Sequence, residues 1–264
     1  MSKIIILLIT LFFGATVIQT DEVESTPKSH PGEPEMVHVY GATFTMGCTN
    51  EHVSNCDSDE KPTHQVTVSS FDISKYPITQ GQWKAVMGTT IQDQRDKVNP
   101  KNPLKGEGDN FPMYYVSYDD AQEFIVRLNE LTGKNYRLPT EAEWEFAARG
   151  GVKTNAHKYS GDNFLNNVAW SKDKSGGTTH PVGTKKPNQL EIFDLSGNVW
   201  EWCSDWYGNY STAAKLDPQG ATSGFRRVAR GGSWNSPATD CRTSKRGFGN
   251  PDQRNDTFGF RIVL

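Results

Sequence analysis

The chain has 264 residues, enough for one large domain or two small ones with a buried core; 35% hydrophobic residues, 11% aromatics, 24 glycines and 14 prolines describe a folded, loop-rich protein with an aromatic core. A formal net charge of −3 with scattered basic residues gives no electrostatic footprint for nucleic acid. The six histidines show no His-x-His or His-x-x-x-His spacing, and the four cysteines form no Cys-x-x-Cys pair, which argues against a zinc site.

Taken in order, Lys3 is followed by the apolar run Ile4 to Phe13 and then by small and polar residues to Thr20. The run is too short for a spanning helix, which needs about 20 apolar residues, and its charged-then-apolar order is that of a secretory signal. The mature chain is therefore expected to be exported, periplasmic or extracellular, with no membrane span. Losing Lys3 with the signal leaves 27 basic against 31 acidic residues, a charge near −4. Residues 21–35 are rich in Pro, Ser, Thr and Glu and read as a flexible leader, followed by one domain over 36–264.

Export gives the even cysteine count meaning, because disulfides persist outside the cytosol. Cys48 and Cys56 flank a short polar loop and can bridge locally, which would leave Cys203 and Cys241 to pair across the fold. Three connectivities are open on the sequence alone.

Alternation predicts two short strands in Met36 to Gly47 around Gly41, and one strand over His64 to Asp72. Thr79 caps a short helix carrying Trp83, Val86 and Met87, and Gly88 to Pro112 reads as a long polar insertion without its own core. Ser117 caps the clearest helix, with Tyr118, Ala121, Phe124, Ile125, Leu128 and Leu131 at helical spacing and Gly133 beyond its end. That apolar face is expected to dock on a sheet. A second helix opens on the capping-box pattern Thr140-Glu-Ala-Glu143 and runs to Arg149. Its acids Glu141, Glu143 and Glu145 read as partners of the helix dipole rather than a catalytic pair, since residues two apart face different sides. Loops follow, and Arg226 to Trp234 and Gly259 to Leu264 read as closing strands.

The densest stretch is Phe193 to Trp206, which places three tryptophans beside Asp194, Glu201 and Asp205. Buried indoles imply a packed corner of the core, and carboxylates among them must be satisfied by a cation or by strong donors. A hard-cation site is the favoured reading, with a core strand and turn as the plain alternative.

Four ordered motifs, Arg137-Leu-Pro-Thr-Glu-Ala-Glu-Trp-Glu145, Gly197-Asn-Val-Trp-Glu-Trp202, Arg230-Gly-Gly-Ser-Trp234 and Gly259-Phe-Arg261, make the chain resemble the formylglycine-generating enzyme, or sulfatase-modifying factor, family from Met36 to Leu264. The resemblance implies an α+β, compact C-type-lectin-like fold with little regular secondary structure and bound Ca²⁺. It implies calcium ligation by the side chains of Asp194 and Glu201 and the carbonyls of Gly197 and Val199, oxygen ligands that suit this ion. A second calcium would begin at Asn167 and Val168, with Asp173 its candidate acid in a shortened loop.

Catalysis in the family needs two cysteines that bind Cu(I) and oxidise a sulfatase cysteine to formylglycine. Matched residue by residue, the first falls on Ser236 and the second on Cys241; Ser233 matches the active-site serine, and Thr257 stands where the family has an asparagine near its substrate groove. A serine hydroxyl is a hard donor and does not replace a thiolate for Cu(I). The expectation is thus a binding or structural module without the oxidase activity, whose groove takes a polypeptide or a glycan. The alternative is an active oxidase, converting a sulfatase cysteine to formylglycine with one thiolate and a substitute ligand or performing a related oxidation at the same groove.

Overall fold

The structure is a computed structural model that describes residues 29–51 and 56–264. The expected signal segment and most of the expected leader lie outside the described residues. Residues 29–35, also assigned to the leader, lie against the domain: the Glu33 carboxylate takes the Lys134 ammonium at 2.5 Å and the Tyr136 hydroxyl at 3.0 Å.

Strands β1 (Met36–Val39) and β2 (Ala42–Met46) form on either side of Gly41 as the alternation predicts. The expected strand over His64 to Asp72 is instead two, β3 (His64–Val68) and β4 (Phe71–Ser74). The reason is a change of phase: buried positions fall on 64, 66 and 68 and resume on 71 and 73, so no single pleat buries them all. β1 pairs antiparallel with β4, while β2 and β3 form a separate sheet with β6 (Lys215–Leu216).

Helix α1 (Gln80–Met87) begins at the Thr79 cap, whose capping box is completed by Gln82. The 88–112 stretch contains a short helix the sequence reading missed, α2 (Ile91–Asp96), capped by Thr90 and anchored by buried Ile91 and Gln94. Helix α3 (Tyr118–Thr132) has the predicted Ser117 cap and Gly133 stop, the glycine in the left-handed region. Its face docks on α1 as well as on sheet aromatics: Phe124 stacks on Trp83 at 5.6 Å and meets Phe260 edge-on at 5.3 Å. Leu131, assigned to that face, is 52% exposed.

The central sheet has strand order β8-β7-β5-β9, built from β5 (Trp200–Trp206), β7 (Arg227–Arg230), β8 (Arg246–Gly249) and β9 (Phe258–Gly259). The expected final strand over Gly259 to Leu264 is reduced to β9 plus an isolated bridge from Val263 to Ile73 and Arg137, and β8 was not foreseen. Two larger apolar clusters meet at β5. Trp202 belongs to the one with Trp83, Phe124 and Phe260, and Cys203 to the one with Val39, Val66 and Phe146. Period-two alternation therefore sends Trp200 and Trp202 to one face of β5 and Glu201, Cys203 and Asp205 to the other.

Onto that second face packs α4 (Glu141–Ala148), all eight residues of which are buried. Its three glutamates complement the dipole only in part. Each meets an arginine: Glu141 takes Arg246 at 2.7 and 2.9 Å, Glu143 takes Arg137 at 2.6 and 2.7 Å, and Glu145 takes Arg149 at 2.9 Å and Arg230. A carboxylate on a fully buried helix needs such a partner, because desolvating it alone costs several kcal/mol, about 3–5 by mutation.

Candidate functional site

The resemblance motifs turn out to be parts of one buried ion-pair network. Arg261 of the last motif grips Glu201 of the second through Nε and Nη2 at 2.6 and 2.8 Å, and Trp144 of the first donates its indole N–H to the same carboxylate at 2.6 Å. Arg230 of the third motif joins Glu145 of the first and caps the carbonyls of Thr243, Ser244 and Lys245. Asp205 accepts the Glu141 backbone N–H at 2.8 Å at the start of α4, and Ser204 donates to it at 3.2 Å. Burial, with Glu141 close by, raises its pKa from 3.8 to about 7. Of the two answers expected for these acids, a cation or strong donors, protein donors answer Glu201 and Asp205, which strand alternation turns away from Trp200 and Trp202.

Asp194 is different. It sits at φ +58° in a turn with Gly197 (+79°) and Asn198 (+63°), where side chains are uncommon. One oxygen, Oδ2, accepts the Gly183 N–H at 2.8 Å; the other, Oδ1, is buried without a hydrogen-bond partner. Burial lifts this carboxyl from 3.8 to about 6, with Glu201 adding repulsion and Arg261 opposing it. A buried carboxylate oxygen with nothing to accept is the kind of group a hard cation satisfies. The residues fit an ion at this point: Asp194 would hold it, with the Gly197 and Val199 carbonyls beside it in the chain and Glu201 already shared with Arg261. Gly197 has no alternative here, because a Cβ would lie 2.3 Å from the Trp170 carbonyl oxygen.

The second expected ion is less well served. Asn167 gives its amide N–H to Asp162 at 2.8 Å, its carbonyl accepts Lys186 N–H at 3.0 Å, and Asp173 is exposed. Beside this pair Lys185 donates its ammonium to the Asn166 carbonyl at 2.7 Å and lies 4.0 Å over the Trp170 ring, whose stacking partner is His180 at 3.6 Å. Val168 is buried in the small cluster with Tyr159 and Cys241. Among these groups no buried side-chain oxygen is left without a partner as Asp194 Oδ1 is.

The Gly231 to Ser236 loop follows β7 and is bound to the Asp194 turn. Gly197 N–H donates to Gly231 O and Trp234 N–H to Asn198 O, both at 2.8 Å. Within it Ser233 and Ser236 are buried and face each other, their hydroxyls 3.2 Å apart, and the Ser233 N–H donates to Ser236 Oγ at 3.0 Å. Cys241 follows in the 3₁₀ turn Ala238–Cys241. Its thiol touches Gly232 so closely that a Cβ there would sit 2.8 Å from Sγ. Burial pushes its pKa well up, so the group is a neutral thiol. Thr257 donates its N–H and hydroxyl to Asn255 Oδ1 at 2.9 and 2.7 Å.

The disulfide expectation divides. Cys48 and Cys56 are bridged, but Cys203 and Cys241 are both free and buried, so the cross-fold pairing is overturned. Alternation on β5 aims Cys203 into the core against α4, whereas Cys241 lies in the separate cluster with Tyr159. The two regions are fastened by a hydrogen bond instead, Ser196 Oγ to Cys241 O at 2.8 Å. Sequence reasoning also missed the clamp of Arg242 on Glu60, 2.5 and 2.7 Å with both groups buried. Burial alone would raise that carboxyl, yet Arg242 and Ser244 bring it down to about 2.

This fold and network define a class. Residues 20–264 match the sulfatase-modifying factor enzyme 1-like domain, and the chain belongs to that family. It is 35% identical over 172 residues to the formylglycine-generating enzyme of Streptomyces coelicolor, covering 58% of this chain and 52% of that one. It is 32% identical over 255 residues to a Chlamydia pneumoniae protein named serine/threonine-protein kinase pkn1, covering 90% of this chain but 39% of the relative, so it spans about two fifths of that protein's length. Among solved structures it resembles Treponema denticola variable protein 1 with a TM-score of 0.74 and 30% identity over 87% of this chain and 94% of the other. The α+β fold is accordingly the compact, C-type-lectin-like fold of the formylglycine-generating enzymes, with mostly strands and loops. Among the described residues no helix is long and apolar enough to cross a membrane.

Proposed function

We propose that this chain is an exported, calcium-binding member of its family that does not make formylglycine and acts as a binding or structural module. The observation that carries the reading is Ser236. At the position matched to a copper-binding cysteine stands a buried serine hydrogen-bonded to Ser233, and its hydroxyl is too hard and too weakly acidic to serve Cu(I). Cys241, the matched partner, is a single buried thiol packed against Gly232. Calcium binding is supported by the unpartnered Asp194 Oδ1. Export is supported by the Lys3 and Ile4 to Phe13 pattern together with the Cys48–Cys56 bridge. The groove near Thr257 would then hold a polypeptide or a glycan rather than oxidise one.

One observation favours the competing reading of an oxidase with a substitute ligand: Cys241 is not tied up in a disulfide. Competition for Cu(I) with the chromogenic chelator bicinchoninate separates the two. Copper remaining wholly with the chelator is the expected result; transfer of one Cu(I) per chain, lost in Cys241→Ala, would overturn the module reading.

A further inference from the structure

Phe225 stands 94% exposed, the most exposed large apolar side chain among the described residues, in the loop that leads into β7. It does not stand alone. The next residue, Arg226, is exposed and lays its guanidinium 4.5 Å over the ring of Phe248, itself 41% exposed on β8. Tyr207 packs against that ring at 4.6 Å and donates its N–H to Arg226 O. Arg227 stacks on Trp206 at 3.4 Å and on Tyr118 at 4.3 Å. Because β8 ends the sheet, no further strand of the described chain covers this corner.

Charge settles which partner would suit the patch. Among the described residues neither Arg226 nor Arg227 has a carboxylate within ion-pair distance, in a molecule where Arg137, Arg149, Arg230, Arg242, Arg246, Arg254 and Arg261 all do. The nearby acids are taken: Asp59 accepts the Tyr207 hydroxyl at 2.6 Å, and Asp57 pairs with Lys245. Contiguous exposed apolar surface marks interaction sites, and arginine with aromatic side chains is the composition of their energetic centres. An arginine pre-stacked on a ring also keeps its donors free while losing little further freedom on binding.

We infer that the corner formed by Phe225, Arg226, Phe248 and Tyr207 is a docking surface for an acidic polypeptide segment carrying aromatic side chains. A carboxylate meets the unpaired Arg226 guanidinium, and an aromatic group covers Phe225. None of these residues belongs to the Asp194 turn or to the Ser233–Cys241 loop, so this surface stands or falls independently of the oxidase question.

The test is fluorescence anisotropy with labelled poly(Glu,Tyr) copolymer as the probe, with poly(Glu) and heparin as comparison arms, and sedimentation of the protein alone. The inference expects poly(Glu,Tyr) to bind more tightly than poly(Glu). It expects Phe225→Ser to weaken binding about tenfold or more, as for a residue at an energetic centre, and Arg226→Glu to abolish it. Phe225 is almost wholly solvated, so its variant should melt as the parent does and the comparison stays interpretable. Heparin binding as well as the copolymer and indifferent to Phe225→Ser would overturn the inference in favour of nonspecific anion attraction. Absence of copolymer binding, or self-association lost in Phe225→Ser, would overturn it as well, the latter assigning the corner to a second copy of this chain.

Discussion

Replacing Arg261 by leucine removes the cation that answers Glu201 in the middle of the sheet. Both side chains are essentially inaccessible to solvent, with 0% and 1% of their surface exposed. Leucine leaves Glu201 with the Trp144 N–H alone and frees the carbonyls of Ser74 and Phe193, which Arg261 also caps at 2.8 Å. Truncating one partner of such a pair costs about 3–5 kcal/mol. For a chain of this size that corresponds to a melting temperature lower by roughly 6–20 °C, at about 2–4 °C per kcal/mol. The assay is urea and thermal unfolding in excess chelator, so that any bound ion does not confound the comparison. Glu201→Leu, which strands the guanidinium, should be similarly costly, and the double variant should recover a large part of the loss because no charge is left buried. A loss below about 1 kcal/mol for Arg261→Leu, the range of a surface pair, would refute the network; so would a double variant as unstable as the two losses added together.

Three further outcomes follow from the same geometry. Calcium should raise the melting temperature over chelator, by about 4 kcal/mol of stability at a thousandfold excess over Kd, and Asp194→Ala should abolish the response; an unchanged melting curve counts against the site. Stability in chelator should rise as pH falls from about 8 to 5, because the folded pKa of Asp205 is raised to about 7, so its stabilising contribution is fully present below the unfolded value and is lost as pH climbs through the folded one. Asp205→Asn should reduce that slope and leave the part contributed by Asp194, itself raised to about 6, whereas a slope unchanged in the variant assigns it elsewhere. Thiol titration should find no reactive thiol in the native protein and two after denaturation, since Cys203 and Cys241 are both buried and unbridged; none after denaturation would restore the cross-fold disulfide.

Local signals were legible where a single turn of chain carries the physics. The Thr79, Ser117 and Thr140 caps and the Cys48–Cys56 bridge rest on contacts close in sequence, and the strands either side of Gly41 on local alternation. The ion-pair network was not legible, although the residues that form it were in view. Arg230, Arg261, Glu145 and Glu201 sit in the motifs that carry the family resemblance, but their pairings span 60 and 85 positions and depend on topology. The acids of Phe193 to Trp206 show the cost of reading density without alternation: the indoles beside them in sequence lie on the other face of the strand, and Glu201 and Asp205 are answered by Arg261, the Trp144 N–H and the start of α4. Strand β8, a short Arg-Gly-Phe-Gly segment, lacks apolar alternation because its glycines yield room to Trp200 and Trp202. Asp194 was singled out correctly as a charge in need of an answer, and it is the one acid of that stretch with an oxygen the described protein does not satisfy.

The claim at the centre of this account is that a family member with Ser236 in place of a cysteine has lost the oxidase chemistry. Its most direct test is mass spectrometry of a peptide carrying the Cys-x-Pro-x-Arg sulfatase motif after incubation with the reduced, Cu(I)-supplied protein in oxygenated buffer. An unchanged cysteine, with turnover in a parallel active family member, is the predicted result. Conversion of that cysteine to formylglycine by this chain, dependent on Cys241, would contradict it.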